Sequence, residues 1–238
     1  MLITKHFVFI HLQKTGGVFF RRLCHDHLPP DWIVRELKQT HAGYDLIPAE
    51  YAHLPAIAFI RNPWDWYVSW YHWETQYLGS GERPAPESET HPWTTLLGRG
   101  AYDFKRAVTA ACTRREGERP WELVMRAWDV DLLTAAYAIK TGHHPAGAEP
   151  PPSLAARLPA DGRSVEVGRF EHLREDMLSF LERHGVPAPP EFVEAIKRSP
   201  PRHGSRRGAY ADYYDDELRD LVAHKARHVI AEQGYEYR

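Results

Sequence analysis

The chain is poor in the features that mark several large protein classes. Among 238 residues there are two cysteines, Cys24 and Cys112. No Cys-x-x-Cys is present, so neither a zinc knuckle nor a redox pair is expected. Two isolated thiols suit a reducing, cytoplasmic setting. Long apolar runs are missing too. The longest, Ala56–Ile60 and Ala135–Ile139, have five residues each, against the roughly 20 that a membrane-spanning helix needs. The opening, Met1 to His11, carries an apolar stretch of four residues and no cleavage-site pattern, which argues against a signal peptide. Neither charge is in excess. Thirty basic and thirty-two acidic residues leave a formal charge of -2, which speaks against a generic nucleic-acid or anionic-membrane binder unless charge is segregated. The fifteen histidines are scattered and none forms a His-Glu-x-x-His pair, so no metal site is expected.

What remains is a soluble globular composition, 43% hydrophobic and 26% charged. A chain of this length buries roughly 70% of its unfolded surface, enough for a core without disulfide or metal. We read residues 1–238 as one domain, with 79–93 and 145–162 as inserted loops. The run Phe7-Val8-Phe9-Ile10 predicts a buried parallel strand. A glycine-containing turn follows over His11–Gly17, then a helix over Val18–Leu28 stopped by Pro29-Pro30. Ala56–Ile60 predicts a second buried strand. Asn62 is placed to cap the next helix with Pro63 in its first position. Further helices are predicted near Tyr102–Cys112, over Trp121–Lys140, from Leu173 to a stop at Gly185, and from Leu218 to near Gly234. Val165–Phe170 predicts another strand. Two strands that each end at the start of a helix are how an open α/β sheet builds a ligand site at its carboxyl edge. The expected fold is therefore a mainly parallel central sheet flanked by helices.

Two segments carry chemistry. In Gln13-Lys14-Thr15-Gly16-Gly17, consecutive glycines after a strand let several N–H groups point at one spot. The following helix adds its positive end, Lys14 a full charge and Thr15 a hydroxyl. That is a phosphate cradle, although an ordinary turn with a solvated lysine has the same residues. The ATP-binding P-loop requires glycine directly ahead of the lysine, and Gln13 stands at that position. In Arg61-Asn62-Pro63-Trp64-Asp65-Trp66-Tyr67-Val68-Ser69, Arg61 ends a buried strand and calls for an anionic partner. Ser69 shares a groove with it only if the chain turns back at Asn62-Pro63. Pairing of Arg61 with Asp65 is the plainer alternative.

Strand-Lys-Thr-Gly-Gly-helix, then strand-Arg-Asn-Pro-x-Asp-x-x-Val-Ser-x-Tyr, resembles the sulfotransferases that use 3′-phosphoadenosine 5′-phosphosulfate (PAPS), closest to their carbohydrate-type and bacterial branch. Gly168-Arg169-Phe170-Glu171-His172-Leu173 and Arg206-Arg207-Gly208-Ala209-Tyr210 extend the likeness, with residues 79–160 the least matched. The resemblance implies a P-loop-like fold and transfer of a sulfuryl group to a hydroxyl of a carbohydrate or small molecule. Lys14, Thr15, Gly16 and Gly17 would hold the 5′-phosphosulfate, and Arg61 and Ser69 the 3′-phosphate. The basic stretch Lys197–Arg207, which carries no acid, would close over the phosphates, with Ser205 and Arg207 as contacts. It also reads as a solvated loop. Gln13 stands where the family usually has Pro, Val18 where it has a hydroxyl, and Trp66 where it often has Arg.

Sulfuryl transfer needs a base at the acceptor hydroxyl. His41, between the two motifs, is the candidate by resemblance, and Asp45, His72 and Glu74 are reserves. His11, at the end of the first strand, is expected to support the loop. In the implied in-line displacement His41 takes the acceptor proton, while Lys14 and the loop N–H groups stabilise the leaving oxygen. Magnesium is not required, because the transferred group carries one negative charge. The rival readings are a P-loop-like kinase or nucleotide hydrolase, and a catalytically silent nucleotide-binding protein.

Overall fold

In chain order the elements are β1 (Leu2–Thr4), β2 (Val8–Ile10), α1 (Gly17–His27), β3 (Ile33–Glu36) and β4 (Ala56–Ile60). Then come α2 (Pro63–Ser80), α3 (Phe104–Thr113), α4 (Pro120–Trp128), α5 (Leu132–Thr141) and α6 (Pro152–Ala155). β5 (Glu166–Arg169), α7 (Leu173–Arg183), α8 (Pro190–Arg198), α9 (Asp216–Lys225) and α10 (Arg227–Gln233) complete the chain. The structure, a computed structural model, describes residues 1–37, 42–80, 102–114, 116–145, 147–155, 165–200 and 208–238, with backbone alone at 76–80 and 153. The inserted loop expected at 79–93 lies outside these residues from 81 onward. The one expected at 145–162 contains the short helix α6, and its residues 146 and 156–162 lie outside them. No helix of the described residues is long and apolar enough to cross a membrane.

The chain forms two compact units, Met1–Arg61 with Ala136–Gly204, and Asn62–Ala135 with Ser205–Arg238. The first unit holds a mixed five-stranded sheet in the order β3-β1-β2-β4-β5. β2, β4 and β5 are parallel, in the registers Phe9↔Ile57 and Phe59↔Gly168. β1 is antiparallel to both of its neighbours. The expected parallel sheet is thus present in three strands and interrupted by a hairpin. Its turn is Lys5-His6, closed by Thr4, whose hydroxyl donates to the Phe7 carbonyl at 2.8 Å and accepts from the Phe7 N–H at 2.9 Å. Both β2 and β4 are wholly buried, which is why they read as unbroken apolar runs.

One face of this sheet carries Phe7, Phe9, Ile57 and Phe59, packed with Phe20 and Leu23 of α1, Met177 and Phe180 of α7, and Phe192 and Ile196 of α8. Phe20 sits edge-on to Phe9, with ring centroids 4.5 Å apart, and also meets Phe59. Burying a phenylalanine contributes about 1.5–3 kcal/mol, and Phe20 is the side chain that ties α1 to the sheet. The connection from β2 runs through α1 to β3 on one side of the sheet. The connection from β4 ends at β5 on the other. The carboxyl ends of β2 and β4 therefore flank a topological switch point, where open α/β sheets place their ligands.

The second unit is helical among its described residues. Asn62 caps α2 as expected, its Oδ1 accepting from the Trp64 N–H at 3.1 Å while its Nδ2 donates to the Glu236 carbonyl at 3.1 Å. Trp64, Trp66, Tyr67 and Trp70 are all buried, so these aromatics are core. The single helix expected over Trp121–Lys140 is two, because Asp129 takes a left-handed conformation and Asp131 accepts from the Thr134 N–H at 2.9 Å to start α5. The last helix is likewise split, into α9 and α10. Asp131 is fully buried and accepts from the Tyr67 hydroxyl at 2.8 Å. Burial pushes both groups upward in pKa.

Phe20→Ala should lower the unfolding free energy by about 3–5 kcal/mol. Urea denaturation measures it, and a loss below 1 kcal/mol would show that α1 is held by something else.

Candidate functional site

β2 ends at Ile10, and the chain reaches α1 through six residues. Lys14 and Gly16 in that loop have φ of 63° and 82°, both left-handed. Alternation of this kind turns successive N–H groups toward one concavity. Thr15 is buried, and its hydroxyl donates to the Leu12 carbonyl at 2.9 Å. That bond closes the loop from inside and leaves Thr15's N–H, rather than its hydroxyl, as what it can offer a ligand. α1 then begins at Gly17 with no side-chain cap and no acidic residue in its first turn. The first bond of the helix runs from the Phe20 N–H to the Gly16 carbonyl, and the N–H groups ahead of it have no intrahelical acceptor.

The two glycines are needed for different reasons. Gly16 supplies the left-handed backbone. Gly17 supplies space, since a Cβ there would lie 2.0 Å from Cδ2 of His11. The imidazole at the end of β2 thus sits directly against the first residue of α1.

Three cations gather around this junction. Lys14 is in the loop, half-buried. Arg61 follows β4, 9% exposed. Its guanidinium lies 4.2 Å over the Phe170 ring and donates to the Lys14 carbonyl at 3.3 Å. Lys140, in the last turn of α5, is equally buried and donates from Nζ to the His11 carbonyl at 3.0 Å. Burial pulls its pKa down from 10.5 to about 7. In a chain of net charge -2, this is local segregation of positive charge at a helix N-terminus, which adds roughly half a unit charge of the same sign.

Of the residues expected from the sequence, Lys14, Thr15, Gly16, Gly17 and Arg61 come together in the first unit. Arg61 meets the loop itself, bracing the Lys14 carbonyl. Ser69 is on α2 in the second unit and is buried. His41, Ser205 and Arg207 lie outside the described residues. Asp45 belongs to the first unit, close to Gly43. His72 and Glu74 belong to the second, where His72 Nε2 is 2.9 Å from the Tyr213 hydroxyl. Val18, in the first turn of α1, is 52% exposed. Trp66 is buried and stacked on Trp70, so it serves packing. His11 supports the loop with both ring and carbonyl.

Lys140 and Phe170 were not expected at the site. Lys140 had a signal: it lies three residues after Tyr137, and that spacing puts it on the same buried helix face. Phe170 had none beyond its place just after a strand.

Comparison of the chain with protein-family models, with curated proteins and with solved structures found no match. Among the described residues no three His, Cys, Asp or Glu side chains gather as a metal ion would require. The chemistry open to the site is electrostatic: oriented N–H groups, the charges of Lys14 and Arg61 and the basic amine of Lys140 favour a tetrahedral oxyanion.

Gly17→Ala should destabilise the protein by about 1–3 kcal/mol through overpacking against the imidazole. His11→Ala in that background should return most of the loss. Paired denaturation curves test this, and failure of the second change to rescue would place the clash elsewhere.

Proposed function

We propose that this chain is a PAPS-dependent sulfotransferase acting on a hydroxyl of a carbohydrate or another small molecule. The observation that carries the reading is the loop with left-handed Lys14 and Gly16 on either side of Thr15, feeding an uncapped helix at the sheet's switch point. A lysine, rather than a preceding glycine, leads the bend. The fit to a phosphosulfate group is electrostatic and steric. The first helical residue, Gly17, adds no side chain of its own over the helix N-terminus, and Arg61 and Lys140 are held by backbone carbonyls.

When bound, the donor supplies an activated sulfuryl group on a phosphate leaving group. Lys14 and the N–H groups at the start of α1 would hold the 5′ end of the donor and stabilise charge gathering on the leaving oxygen. Arg61 would keep the loop in its bent form through the Lys14 carbonyl. With the face of its guanidinium over Phe170, it would meet a phosphate edge-on. Holding of the 3′-phosphate by Arg61 with Ser69, and by Ser205 and Arg207, rests on the resemblance. So does the assignment of His41 as the base that takes the acceptor proton.

Adenosine 3′,5′-bisphosphate at a hundredfold excess over its Kd should raise the melting temperature by roughly 5–10 °C, and ATP with magnesium should not. A shift with ATP–magnesium alone would move the assignment to a kinase or hydrolase, and no shift with either would leave a silent domain. With a radiolabelled sulfate donor and a panel of hydroxyl acceptors, Lys14→Ala should cut turnover by about 10²-fold or more. Near-normal turnover in that variant would refute its role.

A further inference from the structure

Lys140 is a second lysine at the site, and its setting differs from that of Lys14. Its Nζ is hydrogen-bonded to the carbonyl of His11, the residue at which β2 gives way to the loop. The backbone of the same helical turn packs on Gly43. A Cβ there would lie 2.9 Å from the Ile139 carbonyl and 3.3 Å from Cα of Lys140. The backbone of Lys140 is thus packed in place by Gly43, and its amine is bonded at the foot of the loop.

An amine in that place can hold the His11 carbonyl whether charged or neutral, because both forms carry N–H donors. Its charge is a separate matter. Burial opposes it, whereas an anion on the loop favours it. The charged and titratable groups around it act in both directions. The amino group of Met1, which lies within reach of Lys140, and Lys14 on the loop carry the same sign, as does Arg21 near Met1. Asp45 beside Gly43 and Glu36 near Met1 carry the opposite sign. His11 at the end of β2 and His143, whose Nε2 lies 2.7 Å from the Val165 carbonyl, complete the set. A dianion arriving at the loop outweighs any one of these single charges.

We propose that Lys140 is a positioning residue of the anion site, and that it takes up one proton when an anion seats on the Lys14–Gly17 loop. The proton comes from solvent and goes to the Nζ lone pair; no other bond changes. The inference rests on the loop's being an oxyanion site, as in the reading above, and is independent of sulfuryl transfer.

The sign follows from linkage. With the amine titrating at about 7 in the free protein, Lys140 is already charged at low pH, and binding there takes up nothing. Above neutrality it is mostly neutral, and binding recruits a proton. Anion affinity must then fall as pH rises, by about tenfold for each unit by which the anion raises the pKa.

Isothermal titration at pH 8 with adenosine 3′,5′-bisphosphate, in two buffers of different ionisation heat, counts the protons directly. Phosphate monoesters are fully ionised there, their second pKa being about 6. Inorganic sulfate, which holds both charges throughout, is the second probe. The wild-type protein should take up about half a proton or more per bound anion and should lose roughly tenfold in affinity from pH 7 to pH 9. Lys140→Met should bind weakly with no uptake. Lys140→Arg, permanently charged, should bind with a flat pH profile. A purely structural role for Lys140 would shift melting temperature in the variants without changing the proton count. Binding by the wild type with no uptake, or uptake that survives in Lys140→Met, overturns the proposal. If a variant fails to fold, the wild-type proton count still decides. Uptake with sulfate while the nucleotide is refused would support Lys140's role and sink the sulfotransferase reading. Nucleotide binding without uptake would do the reverse, and binding of neither probe overturns both.

Discussion

The contact between the His11 ring and Gly17 governs the geometry of the site. It brings the end of β2 against the start of α1 with no room for a side chain between them. The six residues that join the two ends must then turn within a short span, and the left-handed conformations at Lys14 and Gly16 are how they do so. Once the loop is bent, its N–H groups share a concavity with those of the first turn of α1. The helix direction is set by Phe20 in the aromatic core, so the electropositive end of α1 is aimed by packing rather than by the loop. The electropositive character of this edge is a consequence of strand, ring and helix being locked together.

Collecting cations in one place costs free energy, and the way they are held shows how that cost is met. Arg61 and Lys140 both donate to backbone carbonyls, at Lys14 and His11. A carbonyl offers a lone pair without itself carrying a counter-charge. Arg61 adds the ring of Phe170, which suits a planar, weakly hydrated guanidinium better than it would a lysine. The two bonds also have a mechanical effect. Both acceptors bracket the loop, one at its start and one at its apex, so the side chains that charge the site are the ones that hold its shape.

Much of the first unit was legible in the sequence. β2 and β4 were plain because both faces of each are buried and every residue is apolar. The first turn of α2 was plain because Asn62 and Pro63 occupy positions with distinct backbone chemistry. β1 and β3 were not legible. Three residues are too few to show a period, and β3 lies at the sheet edge with Val34 and Arg35 exposed, so its pattern is that of a surface segment. The helix α8 was also missed, its apolar stripe of Phe192, Ala195 and Ile196 being embedded in a charged segment. The split at Asp129 was hidden because Leu, Ala and Val continue on both sides with helical spacing. At the site, residues adjacent in sequence could be grouped by motif. Lys140 meets the loop across 129 positions, and nothing local encodes that distance.

Lys14 and Asp129 are the non-glycine residues with positive φ among those described, and they are not equivalent. Aspartate visits this region readily, because its short polar side chain can bond to nearby backbone, and Asp129 does so at a break between helices. Lysine has no such local bond, and the left-handed region costs an L-residue roughly 1–2 kcal/mol. Glycine at position 14 would remove that cost and keep the bend. The strain is retained where the backbone turns its N–H groups toward the concavity, and the side chain on that backbone is a cation. A loop that needed only to connect β2 to α1 has no use for charge at its most strained point; a loop that grips an oxyanion needs both in the same residue. Strain and charge at Lys14 therefore point the same way as the buried amine beneath it.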